Sequence, residues 1–239
     1  MNNPNYLASY HSVPKRCVRA VVRNLLLRPA VALLLRTEIT GVEHLTGLPK
    51  SYILIGNHTS HLDAPMVFGL LPESAVRRLA AGAAADYFYT NSARSWLTSL
   101  FFNTYPVDRK GKTATKHVGH AGGMTAALLR SGVPVLLFPE GTRSRDGKLG
   151  QFHPGAAALA AKLNIPLVPL ALRGGQAAMP VGRKFPKLNR PPVSLQIGEP
   201  LYARPGESAP VFMERARAQI VQLLQRETPD TAAPDSVNG

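Results

Sequence analysis

The chain has a single cysteine, Cys17, in 239 residues. That excludes an intramolecular disulfide framework and a cysteine-based zinc cluster. Long apolar runs are missing too. A membrane-crossing helix needs about 18 such residues, and the nearest candidate, 18–35, is interrupted by Arg19, Arg23 and Arg28 and broken by Pro29. No charged start followed by an apolar stretch and a small-residue cleavage site is evident, so neither a transmembrane span nor a signal peptide is expected. Acids are scarce, 14 Asp and Glu against 28 Lys and Arg, and none precedes Glu38. At 18% charged and 45% hydrophobic residues, the chain is no disordered polyelectrolyte and can build a sizeable core.

What is present in excess is positive charge, +14 in all. Such an excess attracts polyanions, either nucleic acid or the anionic face of a membrane. Residues 14–27 carry a helical pattern with Val18, Val21, Val22 and Leu25 on one face and Lys15, Arg16, Arg19 and Arg23 as a neighbouring stripe. An apolar face bordered by cations suits a helix in a membrane interface, where each basic residue near anionic lipid contributes roughly 1 kcal/mol. The alternative is a helix packed on the domain with its arginines solvated. Pro29 fits the first turn of a second short helix ending at Leu35. Residues 1–40 therefore read as an N-terminal basic amphipathic helical segment for membrane association, its first ten residues polar and mobile.

From 41 to 227 strand and helix signals alternate. Short apolar runs mark strands at 52–56, 77–81, 104–107, 133–138, 167–172 and 193–197, the last as an edge strand. Helical patterns fall at 62–71, 96–102, 116–130, 154–164 and 210–226. This alternation predicts a single α/β domain with a central, mostly parallel or mixed sheet flanked by helices. Residues 228–239 are short, polar and Pro-containing, which predicts a flexible tail.

Two clusters of reactive residues follow strands directly. The first is Asn57-His58-Thr59-Ser60-His61-Leu62-Asp63, after the strand ending at Gly56. Five residues apart on a straight helix lie about 140° apart around its axis, so His58 and Asp63 converge only if His58 precedes the helix and Asp63 opens it. A carboxylate holding one imidazole nitrogen fixes the tautomer and raises the basicity of the other. Two rival readings stand beside this one. Ser60 and Asp63 have capping-box spacing, and His58, His61 and Asp63 could ligate a metal. The second cluster is Phe138-Pro139-Glu140-Gly141-Thr142-Arg143-Ser144. Pro and Gly set a turn, Arg143 is suited to grip a phosphate, and Glu140 can pair with that Arg or with a substrate hydroxyl.

Together these residues carry a resemblance to the lysophosphatidic acid acyltransferase family, the PlsC-like glycerolipid acyltransferases. Asn57, His58 and Asp63 match its first block, and Phe138 to Ser144 match its third in full. The second block corresponds to Tyr105-Pro106-Val107-Asp108-Arg109, with Asn103 where a Gly is common and Pro106 where an aromatic is common. Leu167-Val168-Pro169-Leu170 corresponds to the fourth. The blocks occur in order between about Leu48 and Glu199.

The resemblance implies acyl transfer from acyl-CoA or acyl-carrier protein to a glycerol-phosphate-type acceptor hydroxyl, with no cofactor and no metal. His58 would act as general base and Asp63 would orient it. Arg109, Glu140, Gly141, Thr142 and Arg143 would bind substrate, with the two arginines on the acceptor's phosphate. A backbone N–H near Gly141 or an ordered water would stabilise the oxyanion. The acceptor implied is 1-acyl-glycerol-3-phosphate, with glycerol 3-phosphate or another lysolipid as alternatives. Peripheral or monotopic placement on the cytoplasmic face of an anionic membrane follows, and nucleic acid is disfavoured as a partner. His117 and His120 read as helix-surface residues and His153 as loop structure. Arg173, Arg183, Lys184, Lys187 and Arg190 form a basic region open to lipid headgroups, to a thioester carrier's phosphates, or to solvent alone. A metal-dependent hydrolase and a basic binding protein remain the competing classes.

Overall fold

The computed structural model describes residues 4–84, 100–107, 121–144, 146–180, 182–183 and 185–226. Arg109, His117, His120, Lys184 and the tail beyond 227 lie outside them.

Strand β1 is Arg36–Thr40, β2 Ile53–Gly56, β3 Ala80–Ala84, β4 Tyr105–Val107, β5 Val135–Leu137, β6 Leu167–Arg173 and β7 Pro192–Ile197. They form one seven-stranded sheet in the order β1-β7-β6-β2-β5-β3-β4. Every neighbouring pair is parallel except β6–β7. The expected mostly parallel sheet is present. β2, β5 and β6 read as apolar runs because both faces are covered. Ile53 and Ile55 join one core cluster while Leu54, between them, joins the other. The Leu54 side is covered by helices α3 (Arg28–Leu34) and α4 (Asp63–Leu70). The Ile53 side is covered by α6 (Ala121–Arg130), α7 (Gly155–Leu163) and α9 (Ala209–Gln225). The remaining short helices are α5, Glu73–Val76, and α8, Gly175–Ala178.

Three expectations need correction. β7 is not an edge strand, because β1 pairs along its outer side from Arg36↔Pro192 to Thr40↔Gln196. Arg36–Thr40 contains one apolar residue, Ile39, so this half-exposed strand has no apolar run to announce it. The strand expected at 77–81 begins only at Ala80. Nor are residues 4–10 loose. Helix α1, Pro4–His11, precedes α2, Val13–Val22, and the buried Tyr10 hydroxyl donates to Thr104 O at 3.0 Å.

The N-terminal helices expose most of the apolar stripe and bury two of its neighbouring arginines. Between α2 and α3 the chain makes a π-helical turn, Arg23–Leu27. Arg23 is only 3% exposed and ion-paired with Glu73, whereas Leu25 is 68% exposed. Arg19 is buried as well, while Val18, Val21 and Leu26 are exposed. Arg28 Nη2 donates to Leu71 O at 2.7 Å. Arg23 and Arg28 therefore staple these helices to the domain together with the buried Leu27, Val31 and Leu35, while Val18, Val21, Leu25 and Leu26 face outward.

Candidate active site

Parallel sheets of this kind present their strand ends as sites, because chain leaves the sheet there and main-chain groups need new partners. At the end of β2, Asn57 solves that problem with its side chain. Its Nδ2 donates to Leu172 O and its Oδ1 accepts from Leu172 N, both at 2.8 Å. The register Gly56↔Leu170 makes Leu172 the next hydrogen-bonding partner along β6. Asn57 thus continues the ladder after the backbone has turned away.

His58 follows, and its main chain is clamped on both sides by the 138–144 segment. His58 N donates to Glu140 Oε1 at 2.8 Å, and Ser144 N donates to His58 O at 2.8 Å. The imidazole stacks on Phe138, ring centroids 4.2 Å apart and planes 14° apart. Its Nδ1 lies 2.8 Å from Asp63 Oδ2. The His58 side chain keeps 23% exposure while that of Asp63 has none. A proton on Nδ1, donated to that buried carboxylate, would leave Nε2 as the nitrogen with the lone pair.

Asp63 opens α4, as the spacing required. Its Oδ2 also accepts from Thr59 N at 2.7 Å and Ser60 N at 2.9 Å. The capping reading and the imidazole-orienting reading therefore converge on one oxygen. Ser60 does not complete a reciprocal box: its hydroxyl donates to Met179 O at 2.8 Å. Asp63 Oδ1 is buried without a hydrogen-bond partner. Gly175 closes over it so tightly that a Cβ there would come within 2.8 Å.

Glu140 holds main chain rather than Arg143. Besides His58 N, its carboxylate accepts from Gly150 N at 3.0 Å through Oε2. Both oxygens hold main chain, and the side chain is buried. Gly141 takes φ +69°, a conformation that favours glycine, and its N–H donates to Phe138 O at 3.0 Å to close the turn. His153 supports this turn, donating its N–H to Pro139 O at 2.9 Å with its ring against Gly141. Thr142 is exposed. Arg143 is half-buried, and its buried Nη1 has no hydrogen-bond partner.

The electrostatics bring His61 into the same neighbourhood. Burial lowers its pKa below the ordinary 6.5, and the Arg143 guanidinium and His58 add to that, against Asp63. Neutral His61 is the favoured form. Among the described residues no three His, Cys, Asp or Glu side chains gather to hold a metal ion, so the alternative site on His58, His61 and Asp63 does not assemble. Sequence reasoning missed the Phe138 stack, the Gly150 amide, Gly175 and Met179 O. Main-chain partners leave no side-chain signature, and only the glycines at 150 and 175 could have hinted at close approach.

Comparison with known proteins gives a consistent picture. A family model described as Acyltransferase matches residues 36–173, more than half of the chain. The "1-acyl-sn-glycerol-3-phosphate acyltransferase BAT2, chloroplastic" of Brassica napus is 29% identical over 79% of this chain and 51% of its own length. The 1-acyl-sn-glycerol-3-phosphate acyltransferase alpha of Homo sapiens is 31% identical over 59% of this chain and 47% of its own. The chain spans about half the length of these curated relatives. The crystal structure of the 1-acyl-sn-glycerophosphate (LPA) acyltransferase PlsC from Thermotoga maritima superposes with a TM-score of 0.61. It covers 88% of this chain and 84% of that one at 22% identity, a likeness of fold.

Proposed function

The chain belongs to the acyltransferase family, and on that premise we propose that it transfers a fatty acyl group from a thioester to the free hydroxyl of 1-acyl-glycerol-3-phosphate. The observation that carries this reading is the 2.8 Å bond from His58 Nδ1 to the fully buried Asp63, in a His58 side chain that keeps 23% exposure. The relatives' names supply the acceptor.

In the reaction, His58 Nε2 takes the proton from the acceptor hydroxyl as that oxygen attacks the thioester carbonyl. The tetrahedral intermediate collapses, the carbon–sulfur bond breaks, and the imidazolium returns its proton to the departing thiolate. Asp63 keeps Nδ1–H oriented and stabilises the imidazolium between the two proton transfers. No acyl-enzyme is needed. Cys17, the one thiol, is exposed on α2.

Arg143 holds the acceptor's phosphate. Its half-exposed guanidinium suits charge-assisted bonds to an anionic oxygen. Arg109 joins it in this reading, as the sequence block suggests. Glu140, Gly141 and Thr142 shape the acceptor pocket, with Glu140 acting through the His58 main chain rather than through a substrate hydroxyl. The donor is acyl-CoA or acyl-carrier protein. Membrane association is peripheral. Among the described residues no helix is long and apolar enough to cross a membrane, and the outward Val21, Leu25 and Leu26 form an apolar face without an internal partner. An anionic leaflet satisfies that face and the chain's +14 charge together.

Thioester consumption measured with a panel of hydroxyl acceptors, with and without chelator, tests the proposal. Acceptor-dependent transfer that survives chelation and disappears in His58→Ala is expected. Chelator-sensitive ester cleavage without transfer would overturn it.

A further inference from the structure

The three most exposed large apolar side chains among the described residues are Leu188 at 81%, Phe185 at 74% and Leu33 at 73%. Leu33 belongs to the N-terminal helices. Phe185 and Leu188 lie in the loop between α8 and β7, a place where exposed apolar residues have no helix face to complete.

This loop is held in shape. Its base is pinched where Gly174 meets the main chain of Pro192, so closely that a Cβ on Gly174 would stand 2.1 Å from Pro192 O. Lys187 N donates to Ala178 O at 2.9 Å, and Arg183 N to Pro180 O at 3.1 Å. Pro180, Pro186 and Pro191 restrict it further. At its far end Arg190 Nη2 donates to Ala32 O at 3.0 Å, next to Leu33. A loop braced in this way that displays a phenylalanine and a leucine to solvent exposes apolar area with no partner among the described residues.

Charge identifies the partner. Arg183, Lys187 and Arg190 accompany Phe185 and Leu188, and no acid occurs between Asp146 and Glu199. The matching surface must be apolar where Phe185 and Leu188 enter it and anionic where the cations stop. A bilayer leaflet with anionic headgroups has that layering, with long basic side chains keeping their charged ends at the headgroup level.

We propose that the 179–191 loop is a second membrane-insertion element, seating Phe185 and Leu188 in the acyl region of an anionic leaflet beside the N-terminal helices. The proposal rests on the reading of the protein as an acyltransferase working at a membrane surface. It also ties docking to the site. Met179, at the loop's start, accepts the Ser60 hydroxyl at 2.8 Å, and Ser60 N donates to Asp63. Lipid contact on this loop therefore bears directly on the segment that carries His58.

The test is sedimentation of the full chain with mixed phosphatidylglycerol–phosphatidylcholine vesicles, comparing wild type, Phe185→Ser/Leu188→Ser and Leu25→Ser/Leu26→Ser. Withholding two such side chains from apolar surroundings is expected to weaken partitioning roughly 10- to 100-fold in the loop variant. Transfer between a water-soluble thioester and a water-soluble acceptor should stay unchanged in that variant. A second probe, Phe185→Trp, should shift its emission to the blue on adding vesicles and be quenched by brominated lipid, once the signal of the native Trp96 is subtracted. Wild-type partitioning retained in the loop variant, or an unshifted emission from Phe185→Trp, overturns the loop proposal alone. Loss of turnover with an acyl-carrier-protein donor at undiminished vesicle binding also overturns it, in favour of an acidic protein on this surface. A wild type that binds no vesicles removes membrane association altogether, and the loop proposal with it.

Discussion

Glu140 offers the sharpest separation between binding substrate and shaping the site. In Glu140→Gln one oxygen remains, but an NH₂ group replaces the other and must face a main-chain N–H, of His58 at 2.8 Å or of Gly150 at 3.0 Å. Hydrogen bonds to a charged partner contribute about 1.5–3 kcal/mol, and a buried donor left unsatisfied costs about 1–3 kcal/mol. Losing one such bond and orphaning one donor gives a combined cost of about 2.5–6 kcal/mol to the clamped loop. That sits within the 5–15 kcal/mol or so of a typical domain, so the variant should fold with a lower urea midpoint. The effect on rate follows from displacement. If the His58 main chain relaxes by about 1 Å, turnover falls roughly 10²-fold. The assay is steady-state kinetics against acceptor concentration. With Glu140 holding main chain, kcat drops while KM for the acceptor stays within about threefold. Gly150→Ala should reproduce this pattern without altering charge, since its Cβ would come within 2.9 Å of Glu140 Oε2. A raised KM with unchanged kcat in Glu140→Gln would refute the reasoning and return the carboxylate to the acceptor hydroxyl.

Three further outcomes are expected. Asp63→Asn can keep an oxygen toward the three donors while losing the charge that stabilises an imidazolium, so kcat should fall about 10²–10⁴-fold with the circular dichroism spectrum retained; a rate near wild type would remove Asp63 from the mechanism. Gly175→Ala pushes a methyl toward Asp63 Oδ1 and to 3.2 Å from Ser60 Cβ, an overpacking worth about 1–3 kcal/mol; a lower kcat and a lower denaturation midpoint should appear together, and an unaffected kcat would show that the loop yields freely. Glu207 is held down to about 2 from its ordinary 4.5, first by hydrogen bonds from Arg215. Because its folded pKa is depressed, its contribution is complete above 4.5 and lost as pH falls toward 2; Glu207→Gln should flatten that limb of the stability–pH curve, and identical curves would deny the linkage.

The legible parts of the fold were those whose partners are generic. β2, β5 and β6 needed only apolar cover on two faces, and their runs said so. β1 was not legible because a half-exposed strand with Ile39 alone depends on β7 for its existence. For the N-terminal helices, the two stripes could be read but not which one turns inward. That choice depends on Glu73 and on Leu71 O, each more than forty residues from its arginine. Tyr10 is fixed by Thr104, 94 residues distant. Spacing could place His58 beside Asp63, because a loop followed by a helix start has few ways to bring them together. It could not reveal Glu140's partners, since both are amides that every residue carries.

The polar residues of the two motifs share a division of labour that explains why they occur as blocks. Asn57 is spent on Leu172, Glu140 on His58 N and Gly150 N, and Asp63 on Thr59 N and Ser60 N as well as on the imidazole. Each satisfies main-chain groups that the end of a strand would otherwise leave without partners, which is a requirement of folding before it is one of catalysis. In the proposed mechanism, this arrangement leaves His58 Nε2 and the half-exposed Arg143 guanidinium to meet a substrate. A loop built this way is rigid without substrate, so the base needs little reorganisation when the hydroxyl arrives. The same economy predicts that substitutions at Asn57 or Glu140 cost stability as well as rate.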